Sequence, residues 1–122
     1  MLTKQEILNT LPNFYGTEAY YRYSPQFRNF LLTDGAKYLA ESADAHWLVD
    51  LFASHLPSYQ AEGFAVLYLK VNDGKATAQI EDGNGKVLKK QKIEHTDFPL
   101  DAVVLYCCPQ DDQFVILLPS EY

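Results

Sequence analysis

Three histidines, two cysteines and a handful of carboxylates are the side chains of this 122-residue chain whose types could carry chemistry. His55 falls on the helical face that also holds Leu48, Leu51 and Phe52. A partly buried imidazole there can titrate near neutrality or bind a metal. The plainer reading is a core-edge histidine whose ring nitrogens are met by backbone or water. His46 and Asp50 are spaced i, i+4, so the carboxylate can orient the ring as in a general-base pair. The same spacing is an ordinary surface contact, and no motif ties a Ser or Cys nucleophile to it. His46 and His55 project from roughly opposite sides of one helix and cannot share a metal. His95-Thr96-Asp97 closes an apolar run and can present imidazole and carboxylate together at a loop. As structure, Thr96 and Asp97 are turn formers, Phe98 plugs the core and Pro99 stops a ladder. A small hydrolase would pair His55 or His95 with a carboxylate such as Asp97 or Asp34.

The cysteines offer less. Cys107 and Cys108 are adjacent in a strand-like run, where successive side chains point to opposite faces, so they read as reduced, packed thiols. With the histidines dispersed, no metal site and no cofactor is expected. Gly83 and Gly85 join two strands instead of opening a helix and are followed by no Lys-Ser/Thr, so they make no phosphate loop. The tyrosines form the other distinctive group. Tyr20, Tyr21 and Tyr23 surround Arg22, with Tyr15, Arg28 and Tyr59 nearby in the reading. Tyrosine joins an apolar ring to a polar tip, which suits either a binding surface or the margin of a small core. Exposed together, Tyr20, Tyr21, Arg22 and Tyr23 would be a binding surface.

The elements that must position these groups differ between the two halves. Thr3-Lys4-Gln5-Glu6 is a capping box, and a short helix runs on from it to Pro12. Residues 13–32 read as irregular chain with one helical turn, and Ser24-Pro25 within them as a turn or a helix start. Thr33 or Asp34 can cap a helix through about Ser42, and Asp44 can cap another over about Ala45 to Leu56. In the latter, Trp47, Leu48, Leu51, Phe52 and His55 form the apolar arc, with His46, Asp50 and Ala53 opposite. From Phe64 onward, five short apolar runs are separated by turn signals such as Asn72-Asp73-Gly74 and Asp82-Gly83-Asn84-Gly85. They read as one antiparallel sheet. The run from Val87 to His95 carries three lysines and belongs at or near an edge, and the last hairpin fits best beside the first strand of the sheet. The expected architecture is therefore α+β. It is a single domain over 1–122, mainly helical over 1–57, whose helices cover one face of a four- or five-stranded antiparallel sheet over 63–118. Trp47, Leu51, Val66, Val104, Leu105, Ile116 and Leu117 are expected in the core.

Composition narrows the partners. Apolar residues make up 48% and aromatics 14% of the chain, enough for a core without metals or disulfides. The formal charge of -6 repels phosphate backbones and anionic lipid at long range, so neither nucleic acid nor membrane is expected as a partner. The first residues lack the basic start and apolar stretch of a secretory signal, which points to a cytoplasmic protein.

Several blocks together resemble a small uncharacterised bacterial domain family: Phe14 to Glu18, Tyr20-Tyr21-Arg22, Leu32 to Glu41, Trp47 to Asp50, Ala53-Ser54-His55, Glu94 to Leu100 and Leu117 to Tyr122. The resemblance implies a domain of unknown function and assigns no catalytic residue. The leading expectation is a non-enzymatic module binding a protein partner through its tyrosine-rich N-terminal surface or a sheet edge. A His/Asp hydrolase and an acidic inhibitor that imitates nucleic acid are the alternatives.

Overall fold

Thr3 caps the first helix as its box foretells: its Oγ1 accepts from Glu6 N at 3.2 Å, and its own N–H donates to Glu6 Oε1 at 3.3 Å. Helix α1 (Lys4–Thr10) buries Ile7 completely and passes into a 3-10 turn, Leu11–Asn13, at Pro12. The computed structural model describes residues 3–17, 19–24, 27–55, 64–82, 85–110 and 113–122, with backbone alone at 23–24, 27–29, 55 and 110. Strands β1 (Tyr21–Ser24) and β2 (Phe27–Leu32) follow, then helices α2 (Asp34–Ser42) and α3 (His46–His55). Strands β3 (Ala65–Asn72), β4 (Lys75–Glu81), β5 (Val87–Ile93), β6 (Ala102–Gln110) and β7 (Gln113–Leu117) complete the chain before a 3-10 turn at Pro119–Glu121.

The seven strands of the described residues form one sheet, in the order β1-β2-β7-β6-β3-β4-β5. The α+β expectation stands, but four or five strands was too few, and the sheet is mixed, since β2 runs parallel to β7. The two added strands occupy the segment read as irregular with a helical turn. Of the two readings of Ser24-Pro25, a helix start does not hold, since Ser24 ends β1 and pairs with Phe27 of β2. Tyr and Phe crowd this stretch because they suit a pleated surface. As expected, the lysine-bearing β5 is an edge, and the β6–β7 hairpin lies beside β3. The β3–β4 connection places both Asp73 and Gly74 at positive φ (53° and 73°), the twist-matched hairpin turn that the Asp-Gly pair foretells. Pro109 pairs with Phe114 in β7 at a position beyond the end of β3, where its missing N–H breaks no ladder.

Alternation sorts each strand between two faces. Leu67 and Leu69 of β3, Ala78 and Ile80 of β4, and Leu105 and Cys107 of β6 join Leu39, Leu48 and Phe52 of the helices in one buried cluster. The buried stripe of α3 is Leu48, Val49, Phe52 and Ala53, so the arc expected from sequence is rotated. Trp47 and Leu51 sit half-buried at its margin, and Ala53, assigned to the outer side, is fully buried. Trp47 meets Phe98 edge-on at 6.2 Å. Asp44 does not cap α3, which is preceded by Ala45; it takes a left-handed turn instead (φ 51°). Leu105 and Ile116 are core residues as expected. Val66 and Leu117 are buried on the opposite face, outside the main cluster, and Val104 there is half-buried.

Candidate functional site

Of the catalytic candidates, His95 and Asp97 share one cleft, and Asp34 lies away from it. His95 and Asp97 are exposed together in the β5–β6 connection, which Thr96 N ties to Gly74 O at 2.8 Å. They line a shallow cleft of about 570 Å³ with Asp73, Lys75, Glu94 and Thr96, and among the described residues no Ser or Cys lines it. Thr96 Oγ1 accepts from Phe98 N at 3.1 Å, which directs Phe98 inward. Asp34 opens α2 just after β2, five strands away from β5, about 24 Å at ordinary strand spacing. It cannot serve His95. The side chain of His55 lies outside the described residues. Cys107 is buried and Cys108 half-buried, both free, and burial pushes both thiols upward, so neither is an activated nucleophile. Among the described residues, no group of three His, Cys, Asp or Glu comes close enough to hold a metal.

Of the N-terminal binding candidates, Tyr20, Tyr21 and Arg22 are all exposed, and Tyr21 is also tied to α2. Hydrogen bonding to Asp34, and then the charge of that carboxylate, raises the Tyr21 phenol above its ordinary value. Lys37 lies 4.7 Å from the centre of its ring and pairs with Glu41 at 3.2 Å. The side chains of Tyr23 and Arg28, and all of Tyr59 and Gly83, lie outside the described residues.

Three of the blocks that carry the family resemblance meet at the start of α2. The first helical N–H groups have no partner within the helix and need one from elsewhere. Asp34 N donates to Thr17 Oγ1 at 2.9 Å, Gly35 N to Glu121 Oε2 at 2.9 Å and Ala36 N to Thr33 Oγ1 at 3.3 Å. Glu121 Oε1 also accepts from Thr33 Oγ1 at 2.6 Å and Leu118 N at 3.0 Å. The C-terminal carboxylate side chain thus closes over the positive end of α2. Any Cβ at position 35 would stand 2.6 Å from both Glu121 Oε1 and Leu118 Cδ1, so a larger residue forces one of those side chains to shift. This clasp holds the start of α2 to the last of the described residues.

The surface that sequence reading missed is the sheet face turned away from the helices. Register sets out its residues as a grid. One row across β6, β3, β4 and β5 is Ala102, Lys70, Thr77 and Lys92; the next is Val104, Tyr68, Gln79 and Lys90. Tyr68, Lys70, Thr77, Gln79, Lys90 and Lys92, with Glu81, line a cleft of about 510 Å³. Tyr68 is 38% exposed, and the three lysines are exposed. Next to this cleft, Phe64, Tyr106 and Tyr122 meet edge-to-face with ring centres 5.1–5.7 Å apart. Glu81, the carboxylate in the cleft, accepts from Gln79 Nε2 at 2.6 Å. Lys70, Thr77 and Lys92 also line an adjoining hollow, whose far side holds Lys75 and Glu94. Between residues 70 and 92 there are six lysines against three carboxylates, a local +3 that leaves -9 on the rest of the chain. The period of two, Leu67/Leu69 inward and Tyr68/Lys70 outward, is the sequence signal from which this face could be read.

A comparison with curated proteins finds no match. Among solved structures, the fold resembles a protein of unknown function from Enterococcus faecalis, at a TM-score of 0.53 and 16% identity, covering 85% of this chain and 98% of that one. Such a likeness speaks to architecture alone. Residues 5–122 match a family model, and the chain accordingly belongs to DUF6876, a family of unknown function.

Proposed function

We propose that this is a non-enzymatic module that binds a protein partner, and that its binding surface is the helix-free face of β3, β4, β5 and β6. The observation that carries the reading is Tyr68, a large ring 38% exposed at the middle of a sheet, with an aromatic cluster on one side and lysines on the other. Rings of this kind gain from contact because they exchange water for packing at little conformational cost. The hydrolase reading is weaker: among the described residues, His95 and Asp97 share only an open cleft lined by neither Ser nor Cys. A second surface, around Tyr20 and Arg22 next to the edge strand β1, keeps the N-terminal reading in play because both side chains are exposed.

Copurification from the native host with tagged wild type, Tyr68→Ala and the double variant Tyr20→Ala/Arg22→Ala tests this, with thermal unfolding of each. A partner lost only with Tyr68→Ala, at an unchanged melting midpoint, is the expected result. Loss only with the double variant assigns binding to the N-terminal surface, and retention by both variants overturns the reading.

A further inference from the structure

We infer that the Lys70–Thr77–Lys92 row and its neighbour Tyr68–Gln79–Lys90 form a docking site for an extended, Asp/Glu-rich segment of a protein. This rests on the reading of the open sheet face as the binding surface and names the chemistry of its partner. At ordinary strand spacings the Cα atoms of Lys70 and Lys92 are about 10 Å apart, and those of Lys90 and Lys92 about 7 Å apart. An acidic group lying over Thr77 and Gln79 is therefore within reach of three ammonium groups, a hydroxyl and an amide.

Lysines on an edge strand have an ordinary purpose, since they stop two copies from pairing edge to edge. That accounts for β5, but not for Lys70, which stands on β3, two strands inside the sheet. Nor do the three lysines neutralise carboxylates of their own chain. No hydrogen bond or ion pair among the described residues engages them, and Glu81 is bonded to Gln79. Clustered like charges weaken a sheet slightly, so the arrangement is one that an anionic ligand relieves.

Charge distribution selects the kind of anion. A short acidic segment can stay within the positive patch, whereas a long polyanion must run onto a surface that carries -9 outside residues 70–92. Screening over about 8 Å at physiological ionic strength lets the patch act locally despite the net charge. The exposed ring of Tyr68 adds apolar contact for the segment's backbone and side-chain stems.

The test is fluorescence anisotropy with a labelled peptide of alternating Glu and Thr, its Lys/Thr counterpart and labelled oligothymidylate. The Glu/Thr peptide is expected to bind wild type in a salt-dependent way, and the Lys/Thr peptide not to bind. Lys90→Glu/Lys92→Glu and Lys70→Glu should each weaken binding by about tenfold. Lys86→Glu, outside the cleft but with the same change of charge as Lys70→Glu, should weaken it less than about twofold. Tighter binding of oligothymidylate than of the Glu/Thr peptide, or equal losses with Lys86→Glu and the cleft variants, would overturn the inference. The copurified partner separates it from the broader reading. If Tyr68→Ala releases the partner but Lys90→Glu/Lys92→Glu does not, the face is correct and the acidic class is wrong. If neither releases it, the face itself is wrong.

Discussion

Replacing Glu121 by alanine removes three hydrogen bonds at once from the start of α2: those from Thr33 Oγ1, Gly35 N and Leu118 N. Hydrogen bonds to a charged acceptor contribute about 1.5–3 kcal/mol each when water cannot replace them, and about 1 kcal/mol each where it partly can. Glu121 is half-buried, so the lower figure applies, giving a loss of about 2–4 kcal/mol. For a chain of this length that lowers the melting midpoint by roughly 10 °C. Glutamine keeps one acceptor but turns its amide donor toward Gly35 N or Thr33, so Glu121→Gln should lose about half as much. Gly35→Ala adds a methyl 2.6 Å from Glu121 Oε1 and Leu118 Cδ1 and should cost about 1–3 kcal/mol by overpacking. Because both substitutions strike one clasp, they should not be additive: in a Glu121→Ala background the Gly35→Ala penalty should shrink by about 1 kcal/mol. Urea unfolding of the four proteins measures this, with Ser120→Ala, an exposed neighbour, as control. A midpoint for Glu121→Ala within error of wild type, or strict additivity with Gly35→Ala, would refute the clasp.

Phe52 is fully buried, so Phe52→Ala should cost about 3–5 kcal/mol, while half-buried Trp47→Ala should cost only about 1–2 kcal/mol; urea midpoints rank them. Tyr20→Ala should change stability by less than about 0.5 kcal/mol, because its side chain is exposed, and calorimetry will show a midpoint shift if it is instead part of the core margin. Cys107 and Cys108 should resist alkylation near neutral pH in the folded protein and react fully in urea, as mass spectrometry can count. Burial raises both thiols above the ordinary 9.0, so the unfolded chain loses these protons first; the stability this supplies is present below that pH and drains away as pH climbs above it, visible in midpoints from pH 7 to 10.

Local rules made much of this fold legible. The Thr3/Glu6 box, the Thr33 cap and the Asp73-Gly74 turn each act over three or four residues, and each stands where the sequence places it. Residues 21–32 were misread because their strands are fixed by distant partners: Phe30, Leu31 and Leu32 pair with Phe114, Val115 and Ile116. No local pattern announces a parallel neighbour from the other end of the chain. The rotated stripe of α3 has a similar cause, since Val49 and Ala53 are buried by what packs on them while Trp47 is too large to enter fully. Histidines and tyrosines drew attention to themselves as residue types. The Tyr68 and Lys70 face did not, because lysine on a strand reads as solvated surface until the register brings three strands together.

The parallel pairing of β2 with β7 also bears on the order in which the protein can be built. Thr33 N donates to Ile116 O at 3.2 Å across a sequence separation of 83 residues. At about 5–20 residues per second, the ribosome needs roughly 4–17 s to supply that partner after β2 has been made. Over that interval the β1–β2 hairpin, rich in Tyr and Phe, has no neighbouring strand to lie against and no clasp over α2. Synthesis of residues 113–121 therefore has to precede both the β2–β7 pairing and the clasp over α2, and until then the aromatic β1–β2 hairpin is exposed to association.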